Sequence, residues 1–227
     1  GRSRVKSHLH SALHSHAARF GTPPQGIWPA EGAISDELLH VLAEHDCRWT
    51  ASGQGVLTNS LRNAGQAVEH RWQYLYQPYR VQGEASRVRC FFRDDLLSDA
   101  IGFEYASWNG NDAAHHLIAQ LEAITHHIAE DETPVVSIIL DGENAWEYYP
   151  YNGYHFLNDL YTLLEQHASI RTTHYREYLD RHDAAAGQGG TKEGELPHLV
   201  AGSWVYGTLS TWIGDEAKRI TAVCPCY

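Results

Sequence analysis

The chain has 227 residues, enough for one sizeable hydrophobic core, and its 28 acidic and 17 basic side chains give a formal net charge of −11. This acidic balance argues against a nucleic-acid partner, because binding along a phosphate backbone depends on clustered lysines and arginines. No apolar run approaches the ~18 residues that span a bilayer, which argues against a membrane partner.

The first predicted helix covers Ser7 to Phe20 and ends at Gly21, a favoured helix terminator. His10 and His14 share one face of this helix, as zinc-binding pairs do, but the glutamate of an HExxH motif is missing. We therefore predict a solvated polar face here. The sequence as a whole predicts no metal site and no cofactor.

The segment GIWPAEG, Gly26 to Gly32, contains the first candidate catalytic residue. Pro29 lacks a backbone N–H, so a strand ends there rather than continuing. Glu31 consequently stands at a strand-to-loop junction, which is where parallel α/β folds place reactive side chains. Ser35 is the predicted N-cap of the helix that follows.

Two further strands are predicted in the first half of the chain. They cover Cys47 to Ser52 and Val88 to Phe92, and the second ends in Arg93 and Asp94. Residues 53–87 between them are polar and irregular, and we predict no element there. Residues 96–103 continue into a turn or a helix.

The β-branched run from Val135 to Leu140 predicts a strand that is buried on both faces. The run ends in Asp141, and a carboxylate next to a buried strand is costly unless it has a partner or a task. Asp141 is either the N-cap of a following helix or part of an active site. Glu143 either orients Asp141 or caps that helix.

Amphipathic helices are predicted at residues 111–130 and 154–167. A Gly/Ala-rich loop at 184–190 and a last strand at 199–206 follow. Because strands alternate with helices and charged residues mark several strand exits, the pattern predicts an α/β fold, a parallel sheet or barrel with one working face.

Carboxylates at separate strand exits suit chemistry at a glycosidic bond. One group protonates the leaving oxygen, and the other attacks the anomeric carbon or activates water. The same pair also suits Mg²⁺ binding or an ion pair, and position alone leaves these alternatives open. The 7 Trp and 13 Tyr residues add flat apolar faces, which suit stacking on sugar rings as well as core packing.

Four motifs in the expected order resemble glycoside hydrolase family 57, in the branch labelled α-amylase/α-mannosidase-like. The resemblance extends from about residue 20 to residue 218. The motifs are GIWPAEG at 26–32, FRDDLLSDAIGF at 92–103, LDGENAWEYY at 140–149 with Asn152 and Gly153, and GSW at 202–204 with WIGD at 212–215.

This resemblance implies a distorted TIM-like (β/α)7 barrel that acts on α-glucans with retention of configuration. By position, it makes Glu31 the catalytic nucleophile and Asp141 the acid/base, with carboxyl groups roughly 5–5.5 Å apart. Asp141 must start protonated and Glu31 ionised. The resemblance also suggests substrate contacts for Trp28, Arg93, Asp94, Glu143, Trp146, Trp204 and Trp212, although packing, or an ion pair between Arg93 and Asp94, is the simpler alternative.

Both ends depart from the family pattern. The family's HQP-type first strand is expected before residue 1, so residues 1–218 are predicted to form a catalytic barrel without its N-terminal strands. The tail 219–227, RITAVCPCY, does not resemble the family's continuation, and the sequence starts at Gly1 without any Met. We therefore expect a piece of a longer or processed protein. Four cysteines in this length favour a reducing, cytoplasmic location over a disulfide framework.

Two other hypotheses remain beside the glycosidase. The aromatic excess and the absent first strand favour a carbohydrate-binding homologue without catalysis, or an inactive fragment. The 16 His residues and the acidic strand exits favour a metal-dependent polysaccharide hydrolase or deacetylase.

Overall fold

A computed structural model describes residues 1–83, 85–130, 132–185 and 192–214. These residues divide into two compact units. Unit 1 comprises Gly1–Glu69, Pro78–Phe92 and the described residues from Gly194 onward, and unit 2 comprises His70–Gln77 and Arg93–Glu193. No helix among the described residues combines the length and apolar character needed to cross a membrane.

The strands form one sheet in the order β1-β2-β4-β3-β5. Strand β1 pairs in parallel with β2, β3 pairs in parallel with β5, and β3 is antiparallel to β4. Within the described residues the sheet does not close into a barrel. The strands are β1 Gly26–Ile27, β2 Trp49–Gly53, β3 Tyr79–Val81, β4 Arg89–Arg93 and β5 Gly194–Leu196.

The larger helices of unit 1 have clear start and stop signals. Helix α1 (Arg2–Phe20) ends at Gly21, whose φ of 75° is accessible to glycine without strain. Helix α2 (Asp36–Glu44) starts at Ser35, whose Oγ accepts a hydrogen bond from the Leu38 N–H at 3.3 Å. Helices α3 (Gln54–Asn63) and α8 (Ser210–Ile213) complete this unit.

Unit 2 is mainly helical. Asp94 caps the short helix α4, and a single π-type turn, Ala100–Glu104, follows it. Helices α5 and α6 pack so closely that a Cβ on Gly110 would lie 2.9 Å from the Phe156 backbone nitrogen. The helices are α4 Asp95–Asp99, α5 Gly110–Thr125, α6 Tyr154–Gln166 and α7 Tyr175–Ala185.

The predicted α/β class is confirmed, but the predicted strand at 135–140 is wrong. The only ladder contact of residues 135–140 within the described part of the chain is a parallel bridge between Ser137 and Arg93. The Val135 N–H donates to the carbonyl of Tyr76, and Ile138 is 37% exposed. A β-branched run indicates a preference for the strand conformation, but it does not specify whether strands flank it on both sides.

Two other assignments are also wrong. Residues 53–87 contain helix α3 and strand β3, which were not predicted. Helix α3 was missed because its apolar stripe is narrow and surrounded by polar residues. Residues 199–206 form a looped segment with one antiparallel bridge, between Gly202 and Ile34. The predicted loop at 184–190 falls mostly outside the described residues, as do Asp215, Cys224, Cys226 and the tail 219–227.

The two described cysteines, Cys47 and Cys90, are buried free thiols. Burial raises the pKa of Cys47 to about 11 and the pKa of Cys90 to about 12. Both therefore behave as small apolar core residues at neutral pH.

Candidate active site

Glu31 lies just beyond the carboxyl end of strand β1, on a single 3₁₀ turn, Ala30–Gly32. Its backbone is left-handed, with φ 59° and ψ 21°. An L-residue pays about 1–2 kcal/mol for this conformation, and such strain is concentrated at functional sites. The strained turn exposes the Glu31 side chain to solvent.

Trp204 holds Glu31 through both backbone and side chain. The Trp204 indole N–H donates to Glu31 Oε2 at 3.0 Å, and the Trp204 backbone N–H donates to the Glu31 carbonyl at 3.1 Å. The Trp28 ring meets the Trp204 ring edge-on, with centroids 5.1 Å apart. Gly32 leaves room for this arrangement, because a Cβ there would lie 2.6 Å from the Trp28 ring.

The loop that carries Trp204 depends on close backbone packing. A Cβ on Gly202 would lie 2.4 Å from the carbonyl oxygen of Gly207. Ser203 is fully buried, and its Oγ accepts a hydrogen bond from the Trp212 indole N–H at 3.0 Å. Unit 1 thus brings together Glu31, Trp28 and Trp204, and joins Trp212 to the same loop.

In unit 2, the end of β4 meets the segment that leads to Asp141. Arg93 and Ser137 form the parallel bridge, and the Asp94 N–H donates to the Ser137 carbonyl at 2.9 Å. The two segments run in the same direction at this bridge, so Asp94 and Asp141 both come after it, on the side of their carboxyl ends. This is the edge at which parallel α/β folds collect reactive side chains.

Arg93 is 7% exposed and joins that edge to helix α4. Its Nε–H donates to the Ile139 carbonyl at 2.9 Å, and its terminal nitrogens pair with Asp95 at 3.0 Å and with Asp99 at 2.6 Å. Ser98 Oγ accepts a hydrogen bond from the Ile139 N–H at 3.3 Å. These contacts fix the backbone immediately before Asp141.

The carboxylate of Asp94 is fully buried and is satisfied by protein donors. It accepts hydrogen bonds from Arg71 at 3.0 Å, from the Tyr76 hydroxyl at 2.8 Å and from the Leu97 N–H at 3.0 Å. Burial, and next the charge of Asp94, raises the pKa of Tyr76, so this hydroxyl remains a donor. The sequence interpretation that paired Asp94 with Arg93 is replaced by these partners.

The motif after Asp141 folds as consecutive turns and not as a helix. Asp141 and Glu143 are therefore not helix N-caps, which removes that alternative for both residues. Glu143 is exposed, whereas Trp146 packs against Tyr149 and Phe156 at ring-centroid distances of 5.4 and 6.3 Å.

Sequence reasoning missed the residues that support the predicted ones. Arg71 and Tyr76 lie in the stretch considered irregular, and Asp99 and Ser203 lie inside two of the family motifs, in which only their neighbours were predicted as site residues. The Tyr-rich composition around Pro78 was the only available signal for Tyr76. Partner choice here is tertiary, since Arg71 and Asp94 are 23 positions apart.

No group of three or more His, Cys, Asp or Glu side chains with metal-binding geometry occurs in the part of the chain that the structure describes. His10 and His14 are exposed on α1, with their rings stacked at 6.5 Å.

Comparison with known families gives a direct assignment. Residues 2–186 match the profile described as glycosyl hydrolase family 57. The chain belongs to glycosyl hydrolase family 57. Its GIWPAEG, FRDDLLSDAIGF and LDGENAWEYY motifs all lie within the matched residues. Among curated proteins, none matches the sequence.

Three solved structures share the fold. A GH57-type branching enzyme from the hyperthermophilic archaeon Pyrococcus horikoshii matches 95% of the chain, with a TM-score of 0.69 and 17% identity. The α-amylase AmyC from Thermotoga maritima matches 92%, with a TM-score of 0.65 and 15% identity. A 4-α-glucanotransferase from Thermococcus litoralis matches 86%, with a TM-score of 0.59 and 17% identity.

The chain spans about half the length of the first two of these enzymes, 47% and 48%, and 27% of the third. The chain therefore corresponds to part of the fold of each of these larger enzymes.

Proposed function

We propose that this protein cleaves or transfers α-glucosidic bonds with retention of configuration, using Glu31 as nucleophile and Asp141 as acid/base. The single observation that carries this proposal is the presentation of Glu31. In a family 57 chain, this exposed carboxylate stands on a strained turn at the end of a parallel strand, with an indole N–H bound to it. A carboxylate placed this way is suited to attack an anomeric carbon.

The reaction proceeds in two displacements. Protonated Asp141 gives its proton to the departing glycosidic oxygen while ionised Glu31 forms a bond to the anomeric carbon. Asp141, now a carboxylate, then takes a proton from water or from a sugar hydroxyl, which attacks the same carbon and releases Glu31. Water gives hydrolysis, and a sugar acceptor gives transfer.

The groups around each carboxylate support these roles. The Trp204 indole N–H donates to Glu31 Oε2, which fixes the orientation of the attacking carboxylate. Arg93 fixes the Ile139 backbone, and with it the start of the loop that carries Asp141. We assign Arg93 and the buried Asp94 as positioning residues of that loop.

Sugar binding is assigned to the exposed and half-exposed groups of the motifs. Trp28, Trp204 and Trp212 offer aromatic faces in unit 1, and Trp146 and Glu143 offer a ring and a carboxylate in unit 2. The branching enzyme, the α-amylase and the 4-α-glucanotransferase that share this fold are named for reactions of α-glucans, which supports the substrate class.

Substitution of the two carboxylates tests the mechanism. Glu31→Gln should lower kcat/KM for a maltodextrin by at least about a thousandfold, because the covalent step is lost. Glu37→Gln, at an exposed glutamate of α2, is the matched control and should retain full activity. Undiminished turnover in Glu31→Gln contradicts the assignment.

Azide distinguishes the two roles when an aryl α-maltooligoside supplies a good leaving group. With Glu31→Ala, azide should enter on the face that the nucleophile vacates and give a β-glycosyl azide. With Asp141→Ala, azide should attack the glycosyl-enzyme and give an α-glycosyl azide. NMR of the anomeric proton identifies the configuration of each product. The opposite pair of products would show that the two roles are exchanged.

Glucan binding without any turnover by the parent would instead identify a non-catalytic binding protein.

A further inference from the structure

The segment that follows Asp141 in unit 2 has an inner and an outer aromatic face. On the inner face, Trp146, Tyr149 and Phe156 pack together, and the Tyr149 hydroxyl donates to the carbonyl of Ile101. Tyr149 is only 6% exposed. Packing of the half-buried Trp146 ring against the buried Tyr149 and Phe156 rings fixes the segment to the body of unit 2.

The outer face presents aromatic rings to solvent. Tyr148, Tyr151 and Tyr154 are 82%, 78% and 65% exposed. The exposed His155 ring stands perpendicular to Tyr151 and Tyr154, with centroids 5.3 and 5.4 Å away. Exposed aromatic clusters of this kind are uncommon unless they serve an interaction. We call Tyr151, Tyr154 and His155 the tyrosine platform.

The backbone below the platform is held in an unfavourable conformation. Tyr151 and Asn152 are both left-handed, with φ of 55° and 53°, and Gly153 continues the turn with φ 79°. A Cβ at Gly153 would lie 3.0 Å from the Trp146 ring, so the inner face packs directly against this turn. Strain of this order persists where packing imposes it, and it is concentrated at ligand-binding positions. The turn therefore aims Tyr151 outward from a rigid base.

We propose that the tyrosine platform is a stacking site for glucose residues of an α-glucan chain other than the two joined by the bond that reacts. The inference rests on the proposed function, because it assigns the substrate of that function to the platform, which follows the Asp141 motif along the chain. Flat apolar rings suit the C–H faces of a pyranose. The exposed Asn144, Glu147 and Asn152 side chains supply hydrogen-bonding groups for its hydroxyls. Such a site holds long substrates and leaves short ones unaffected.

The test measures binding of the full chain to a thio-linked maltodextrin, which contains sulfur in place of the glycosidic oxygens and resists cleavage. Isothermal calorimetry should show that the double variant Tyr151→Ala/Tyr154→Ala binds about tenfold more weakly than the parent. Tyr161→Ala, at another exposed tyrosine of α6, should bind like the parent. Tyr151→Phe, which keeps the ring, should also bind like the parent.

Kinetics provide a second readout. The double variant should raise KM for long maltodextrin and leave kcat and the turnover of an aryl maltoside unchanged, because stacking on glucose residues that do not react adds ground-state binding only. Thermal unfolding should coincide for parent and double variant, since the replaced rings are solvent-exposed.

Several results would overturn the inference. Equal glucan affinity of the parent and the double variant would do so, and so would loss of affinity in Tyr161→Ala as well. A parent that self-associates in analytical ultracentrifugation, together with a monomeric double variant of unchanged glucan affinity, would identify the platform as a contact between copies of the chain. Because the ligand is not cleaved, these outcomes are independent of the Glu31→Gln assay. The platform and the catalytic assignment can therefore fail separately.

Discussion

The Asp94 carboxylate has no exposure to water, and the hydrogen-bond donors around it stabilise it in the folded protein. A guanidinium, a phenolic hydroxyl and a backbone N–H together offset the cost of removing the carboxylate from solvent. Loss of one donor from such a group costs more than loss of an exposed hydrogen bond, because no water replaces it.

Tyr76→Phe tests this network. Removing the hydroxyl leaves one lone pair of Asp94 unsatisfied, so we expect the free energy of unfolding to fall by about 1–3 kcal/mol. Urea denaturation followed by circular dichroism measures the change. Tyr161→Phe removes a hydroxyl from an exposed tyrosine and should leave the midpoint unchanged. Equal midpoints for Tyr76→Phe and the parent would show that Asp94 does not depend on this donor.

Glu31 illustrates the opposite case, a carboxylate that is exposed but held. Its conformation is unfavourable for a non-glycine residue, and the contacts from Trp204 and the tight fit of Gly32 under Trp28 impose it. Strain at a solvent-exposed carboxylate has no benefit for stability, which is a physical reason to assign it to function.

At the level of elements, the looped segment at 199–207 is as important as the strands. The predicted strand would have spaced its residues evenly, whereas the observed loop folds Gly202 onto Gly207 and turns Trp204 toward Glu31. The prediction of a strand at residues 135–140 was wrong for a related reason. Neighbouring chains, and not intrinsic preference, decide whether an extended segment joins a ladder.

Gly202→Ala tests the role of this loop. A methyl group there would overlap the Gly207 carbonyl oxygen. This oxygen belongs to the backbone, so relieving the overlap would require a backbone shift. We expect a loss of about 1–3 kcal/mol in unfolding free energy, with lower activity because Trp204 shifts from Glu31. Gly102→Ala is the control, since its Cβ would make an ordinary 3.8 Å contact with Leu140. A Gly202→Ala variant with the stability and activity of the parent would contradict the packing argument.

At the level of the whole molecule, family membership and the two carboxylates favour a metal-free double displacement over the metal-dependent alternative. We expect maltodextrin turnover to be unchanged after dialysis against EDTA, because neither displacement step uses a Lewis acid. Reducing-end assays before and after dialysis measure this. Loss of activity that Zn²⁺ restores would support the metal-dependent hydrolase instead.

The sequence by itself determined the features that are local or collinear. These are the amphipathic helices, the Ser35 cap, the Gly21 stop and the string of motifs that identifies the family, with Glu31 and Asp141 inside it. Such features are readable because helical periodicity, capping and motif order depend on neighbours in sequence.

Only the tertiary structure decided which side chains meet. Trp204 and Glu31 are 173 positions apart, and Tyr76 and Asp94 are 18 apart. Nothing in either local pattern specifies the other, so the indole on Glu31, the buried network around Asp94 and the separation of inner from outer tyrosines emerged from packing alone. Contacts of this kind depend on the tertiary fold, because only the fold brings residues that are distant in sequence next to each other.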